Sequence, residues 1–168
     1  MTRLNVQENK RKRIFIDIIL VACFLAGIFF SSSQPYEKQD MRGTIRHYVN
    51  MQQVEEKFGN ISFQYGKKEI SVQKVGPDGF VEFFVRKGTH FLTFAAFGVL
   101  FYRLFRHSCQ TREALGWAGF VTVMLAVIDE WHQSFTPNRT AMITDVVLDT
   151  TGLLFTMLFI AIFRMVKR

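Results

Sequence analysis

The chain has little of what soluble enzymes and secreted domains depend on. It carries two cysteines in 168 residues. Cys23 sits in an apolar run and Cys109 in a basic loop, so no disulfide is expected. It has no phosphate-cradling glycine loop and no H-E-x-x-H ligand spacing, so neither a cofactor nor a metal is expected. Its basic residues form no stripe with interleaved stacking aromatics. The net charge of +7 therefore does not point to nucleic acid. No clean A-x-A site follows the first apolar run, so a cleaved signal peptide is not expected.

What the chain does have is apolar length. Hydrophobic residues make up 49% of it and phenylalanine alone contributes nineteen, in long runs separated by basic patches. That is a membrane composition. The runs predict spans at about 14–33, 89–105, 114–131 and 141–163. Lys and Arg gather in NKRKR before the first span, in the 106–112 loop and in the closing RMVKR. The positive-inside rule then places both termini in the cytoplasm of a multi-pass cell-membrane protein. Asp17 lies four residues after Arg13, where an i,i+4 pair at the lipid interface is expected.

Residues 36–86 read as an extracytoplasmic insertion. Tyr36 to Phe58 has helical spacing, whereas ISFQY, EISVQKV and GFVEFFVRK read as short strands. GKK would turn the first pair, and GPDG would turn before the third strand. The fold class is thus an all-α membrane protein, a four-transmembrane-helix bundle with a small α/β insertion between helices 1 and 2.

The chemistry concentrates in DEWHQSFTPNRTAMITDVVLDTTG, Asp129 to Gly152. Four carboxylates, Asp129, Glu130, Asp145 and Asp149, adjoin two apolar spans, where each ionisable group costs roughly 2.5–3.5 kcal/mol at mid-membrane. At 100° per residue, Thr122, Asp129 and Gln133 fall within about 40° on the third span, flanked by Ala118 and Ala126. Asp145, Asp149, Gly152 and Thr156 form a similar stripe on the fourth. On the second, His90, Phe94, Phe97 and Phe101 share a face below Lys87. If the three faces converge, Asp129, His90, Asp145 and Asp149 meet under the loop that carries Arg139. Glu130 and His132 project away from Asp129, toward solvent, and Trp131 belongs to the interfacial aromatic belt. A plainer account also stands: Asp145 and Asp149 pair with Arg139 or Lys87 and simply pin loops to helix ends.

Three pieces of sequence resemble the VanZ-like family of small membrane proteins. They are FFSSSQ after the first span, RK-x-x-HF (Arg86, Lys87, His90, Phe91), and D-E-x-x-Q-x-F-x-P-x-R followed by D and G. The last piece comprises Asp129, Glu130, Gln133, Phe135, Pro137, Arg139, Asp145 and Gly152. Phe94 stands where the family often has Tyr, and Asp149 where it usually has Asn. The resemblance implies a cell-envelope protein whose namesake is tied to resistance against teicoplanin-type glycopeptides.

Two readings follow. In the first, the protein modifies an envelope lipid or lipid-linked precursor. His90 or Asp129 would be the general base, with Asp145 or Asp149 as its partner, and Lys87, Gln133, Arg139 and Glu130 would bind the substrate. In the second, it is a non-catalytic binding or scaffold protein for a lipid, an amphiphilic antibiotic or a partner protein. Proton-coupled transport is weaker, because four spans are few.

Overall fold

Four helices are long and apolar enough to cross a bilayer: Gln7–Ser32, Val72–Phe105, Thr111–Gln133 and Ile143–Val166. They belong to a computed structural model that describes residues 3–166; the last two residues of RMVKR and the first two of the chain lie outside the described residues. In chain order the elements are α1 (Arg3–Ser32), a 3-10 turn (Tyr36–Lys38), α2 (Arg42–Tyr48), α3 (Met51–Phe58), β1 (Ser62–Tyr65), β2 (Lys68–Ser71), α4 (Val72–Phe105), α5 (Thr111–Gln133) and α6 (Ile143–Val166). The result is a four-helix membrane bundle with a small helical and hairpin insertion between its first two spans.

The insertion hairpin is antiparallel, with Tyr65 opposite Lys68 and Ser62 opposite Ser71. Gly66 supplies the positive φ (60°) that its two-residue turn requires. Beyond Ser71 the strands expected from the sequence do not form. The second ends at Ser71, and GFVEFFVRK is helix, part of the 34-residue α4. GPDG is the restart point of that helix rather than a hairpin turn. Gly76 breaks the helical path at φ 79°, ψ 160°, and Pro77 follows it. Proline is preorganised for a first helical turn, because its fixed φ suits the helix and its missing N–H would be unpaired there anyway. From its restart at Pro77 to Phe105, at 1.5 Å per residue, α4 is roughly 43 Å long, against a hydrocarbon core of ~30 Å. Its first turns therefore stand clear of the bundle as a mast for the insertion.

Ion pairs and apolar packing hold the insertion to that mast. Arg42 of α2 pairs with Glu82 at 3.0 Å, and Arg46 with Asp78 at 2.5 Å. Val54, Ile70, Val72 and Phe80 bury a small separate core. Tyr36 also donates to Glu82, at 2.8 Å. Burial, with that bond second, raises the Tyr36 phenol above its ordinary pKa.

In the bundle, Phe94, Phe97 and Phe101 are buried and stack down α4, with successive centroids 5.8 Å apart. α4 and α6 approach closely because Gly152 faces the Phe91 backbone, where a Cβ would sit 2.3 Å from the Phe91 carbonyl oxygen. Thr156 donates to the Ala95 carbonyl at 2.9 Å just below. Small residues of this kind let membrane helices touch.

α1 is held differently. At one end Asp17 is buried and takes Arg103 at 2.7 Å and His107 at 2.8 Å. The expected Asp17–Arg13 pair is thus replaced by a tie from α1 to the end of α4. At the other end Ser32 binds α5 and the loop after it.

Candidate functional site

The polar ends of α1, α4, α5 and α6 meet beneath the insertion, and they bring together Lys87, His90, Asp129, Glu130, Gln133, Arg139, Asp145 and Asp149. Asp129, Glu130, Gln133, Asp145 and Asp149 are all buried, Asp149 most deeply at 1% exposure. The cluster is therefore internal rather than displayed on a surface, and most of its carboxylates already have partners.

Asp129 accepts Ser32 Oγ at 2.5 Å and Gln133 Nε2 at 2.7 Å. Both donors are neutral. The i,i+4 spacing on α5 supplies the second, and the end of α1 supplies the first. Thr136 Oγ1 donates to the Ser32 carbonyl at 2.8 Å, so the α5–α6 loop grips the same turn. Asp145 accepts the Lys87 ammonium and, at 2.6 Å, the Tyr65 hydroxyl from the hairpin tip. This carboxylate ties insertion, α4 and α6 together; of the pairs in the plainer account Asp145–Lys87 forms, whereas Asp149 faces His90 and Arg139 binds amides. Burial first, then the bond to Asp145, raises the Tyr65 phenol.

Glu130 does not project into solvent. It is 5% exposed, and its Oε1 accepts the Met142 amide at 2.5 Å, closing the α5–α6 loop. Its Oε2 is buried without a hydrogen-bond partner. A helix end between two spans must satisfy its amides somehow, and Glu130 does so for this loop. His132 instead stacks on Phe29, ring centroids 4.5 Å apart.

Asp149 and His90 are the loosest pair. Asp149 Oδ1 lies 3.6 Å from His90 Nδ1, beyond hydrogen-bond range, and the oxygen is otherwise unpartnered. Catalytic pairs are often this loose before a substrate binds.

Arg139 comes from the loop that Asn138 turns through a positive φ of 58°. Among the described residues it pairs with no carboxylate. One Nη donates to Gln133 Oε1 at 2.8 Å and the other to Gln39 Oε1, while Nε is buried without a partner. Burial lowers its pKa, and nearby Arg86 acts in the same direction. Asp129, Glu130 and Asp145 oppose the shift. A guanidinium of this kind stays protonated at any working pH.

Two cavities open around these groups. The first, of about 300 Å³, lies between insertion and bundle and is lined by Arg42, Arg86, Lys87, His90, Arg139 and Asp145 among others. Arg42 and Lys87 are neutralised by Glu82 and Asp145, whereas Arg86 stacks on the Tyr36 ring at 4.9 Å and Arg139 has only amides. The second, of about 340 Å³, runs between α1 and α4. His90 and Arg139 line both. Asp129 lines neither and acts on them through Gln133 and Ser32. Among the described residues no group of three His, Cys, Asp or Glu side chains is placed to hold a metal.

Sequence reasoning did not single out Ser32, Gln39 or Tyr65. Ser32 lay in FFSSSQ, but nothing local says which of three serines faces Asp129. Tyr65 and Gln39 come from the insertion, whose docking onto the bundle has no short-range signal.

A family model described as VanZ/LLP1 matches residues 15–164. No curated protein and no solved structure gives a significant match.

Proposed function

The chain belongs to the VanZ/LLP1 family, and from that premise we propose that it captures an anionic head group of an envelope amphiphile in the cavity beneath the insertion. The observation that carries this is Arg139: a charged, half-buried guanidinium whose direct partners are neutral amides. Leaving a buried charge without a counter-ion is costly unless something supplies one, and phosphate or carboxylate fits its fork bidentately. Arg86 adds a second cation on the same wall.

His90, with Asp149 behind it, is the pair free to move a proton at the bound head group. Asp129 and Asp145 are occupied in holding Ser32, Gln133, Lys87 and Tyr65, so their role is positioning. A lipid-linked precursor or an acylated glycopeptide of the teicoplanin type is the ligand class, and altering or sequestering it would contribute to resistance. Orientation follows charge. Asp17–Arg103 and the Arg164–Tyr102 stack, at 6.0 Å, gather the basic ends of α1, α4 and α6 on one side. That side is the cytoplasmic one, with the insertion outside.

The second reading, capture without chemistry, is favoured by the engagement of most carboxylates as ties. Envelope lipids and cell-wall precursors compared between cells with the wild-type protein, His90→Gln and no protein separate the two. A species altered by wild type alone supports the proton-transfer role. No altered species, with an amphiphile still retained on the purified protein, leaves capture as the function.

A further inference from the structure

The second cavity adjoins the first at His90 and Arg139 and continues from there along α1. Its α1 wall is Cys23, Phe24, Gly27 and Ile28, and Cys23, Phe24 and Gly27 are exposed on the flank of the bundle. That wall lies within the membrane-crossing part of α1. From Cys23 to Ser32 it runs roughly 13 Å along the helix axis. The polar end of the crevice is Arg139, His90 and Gln39, so its upper wall is also a wall of the head-group cavity. Gly27 matters here. A Cβ built on it meets nothing within 4 Å, so this position leaves the groove open rather than easing a helix contact. Polar ties at Asp17 and Ser32 fix α1 near its two ends, and between them Val21, Leu25 and Ile28 pack on the bundle core while Phe24 meets Phe97 edge-on at 5.8 Å, so the groove lies beside a packed seam.

We propose that the crevice between α1 and α4 holds one acyl chain of a membrane amphiphile that enters sideways from the bilayer, with its anionic group against Arg139 and His90. The occupant is a lipid, because the α1 wall from Cys23 to Ile28 is apolar, the facing wall offers Thr89 and Thr93, and the groove turns cationic at Arg139, the order in which an anionic lipid presents its parts. Its volume lies at the low end for small-molecule sites and suits one chain. This rests on the head-group reading above, but the two can fail separately.

The test uses the full chain in phosphatidylcholine vesicles doped with phosphatidylglycerol carrying a diazirine at the end of one acyl chain. After irradiation the labelled peptides are mapped. Label is expected to concentrate on the Cys23–Ser32 and Thr89–Thr93 walls and to fall at least about tenfold in Gly27→Trp, equivalent to ~1.4 kcal/mol of site occupancy. Gly27→Ala, too small to fill the groove, keeps it. Label spread evenly over exposed faces such as Phe120 and Met124, or unmoved by Gly27→Trp, overturns the proposal. Arg139→Gln separates the two readings: loss of crevice label supports both, whereas retained label that Gly27→Trp still abolishes keeps the crevice and removes the head-group site. Should Gly27→Trp fail to insert, Cys23 alkylation in the wild type decides. It slows in phosphatidylglycerol relative to phosphatidylcholine, with Cys109 as the internal reference, and equal rates count against the crevice.

Discussion

Asp129 is a buried carboxylate held by two neutral donors, and two substitutions there should behave very differently. Asp129→Asn keeps the shape. Ser32 can rotate its hydroxyl to accept from the new amide nitrogen, while the remaining oxygen still accepts Gln133 Nε2. The network stays satisfied, and the expected cost is under about 1 kcal/mol. Asp129→Ala strands both donors. Two hydrogen bonds to a charged acceptor are worth ~1.5–3 kcal/mol each. Removing an unpaired buried charge offsets part of that, leaving a net loss of ~2–4 kcal/mol. For a chain of this length that is a fall of ~5–15 °C in unfolding midpoint, against less than ~4 °C for the asparagine variant. Thermal unfolding of the purified protein in detergent, followed by size-exclusion recovery, reads the difference. Capture of an anionic amphiphile should strengthen in Asp129→Asn, because a carboxylate near the always-charged Arg139 guanidinium no longer repels the head group while the fold persists. Equal destabilisation by both variants would refute the reasoning and make the charge itself the structural element.

Gly152→Ala places a Cβ against the Phe91 carbonyl. It should cost ~1–3 kcal/mol through a forced shift of α6 from α4, seen as a lower unfolding midpoint, and Gly152→Leu should not accumulate. Tyr65→Phe removes the hairpin's bond to Asp145. The phenol's pKa is raised in the fold, so its contribution is whole below the unfolded value of about 10 and is lost as pH climbs through the folded one. Protease sensitivity of the hairpin in Tyr65→Phe should therefore exceed wild type by a constant margin from neutral pH to about 10, and the margin should close above that. Asp17→Ala should cost ~1–2 kcal/mol rather than the larger loss of a fully buried pair, because half-exposed Arg103 can turn to water. Arg103→Met, measured by the same unfolding midpoint, should cost more, since it leaves Asp17 buried with His107 alone.

The bundle was legible because its signal is local and redundant. Apolar runs give the spans, and helical spacing puts Thr122, Asp129 and Gln133 on one stripe, which the fold buries. The mast of α4 was not legible. GFVEFFVRK is rich in β-prone Val and Phe and follows a turn-like GPDG, so short-range preference favoured a strand. Packing decided otherwise: Phe80 and Glu82 are buried against α2, α3 and the hairpin, which a helix allows and which propensity cannot anticipate. Glu130 was misread for a related reason. Its helical angle points it away from Asp129, but the loop it caps folds back over it and excludes water. The partners of Asp129 and Asp145 were hidden because Ser32 and Tyr65 arrive from about 97 and 80 positions away in the chain.

The most direct test of the account is native mass spectrometry of the purified chain, wild type against Arg139→Gln. The wild type should carry an anionic amphiphile through purification, and Arg139→Gln should carry at least about tenfold less while keeping its unfolding midpoint. A wild-type chain that emerges bare, or a variant that retains the same adduct, would contradict it.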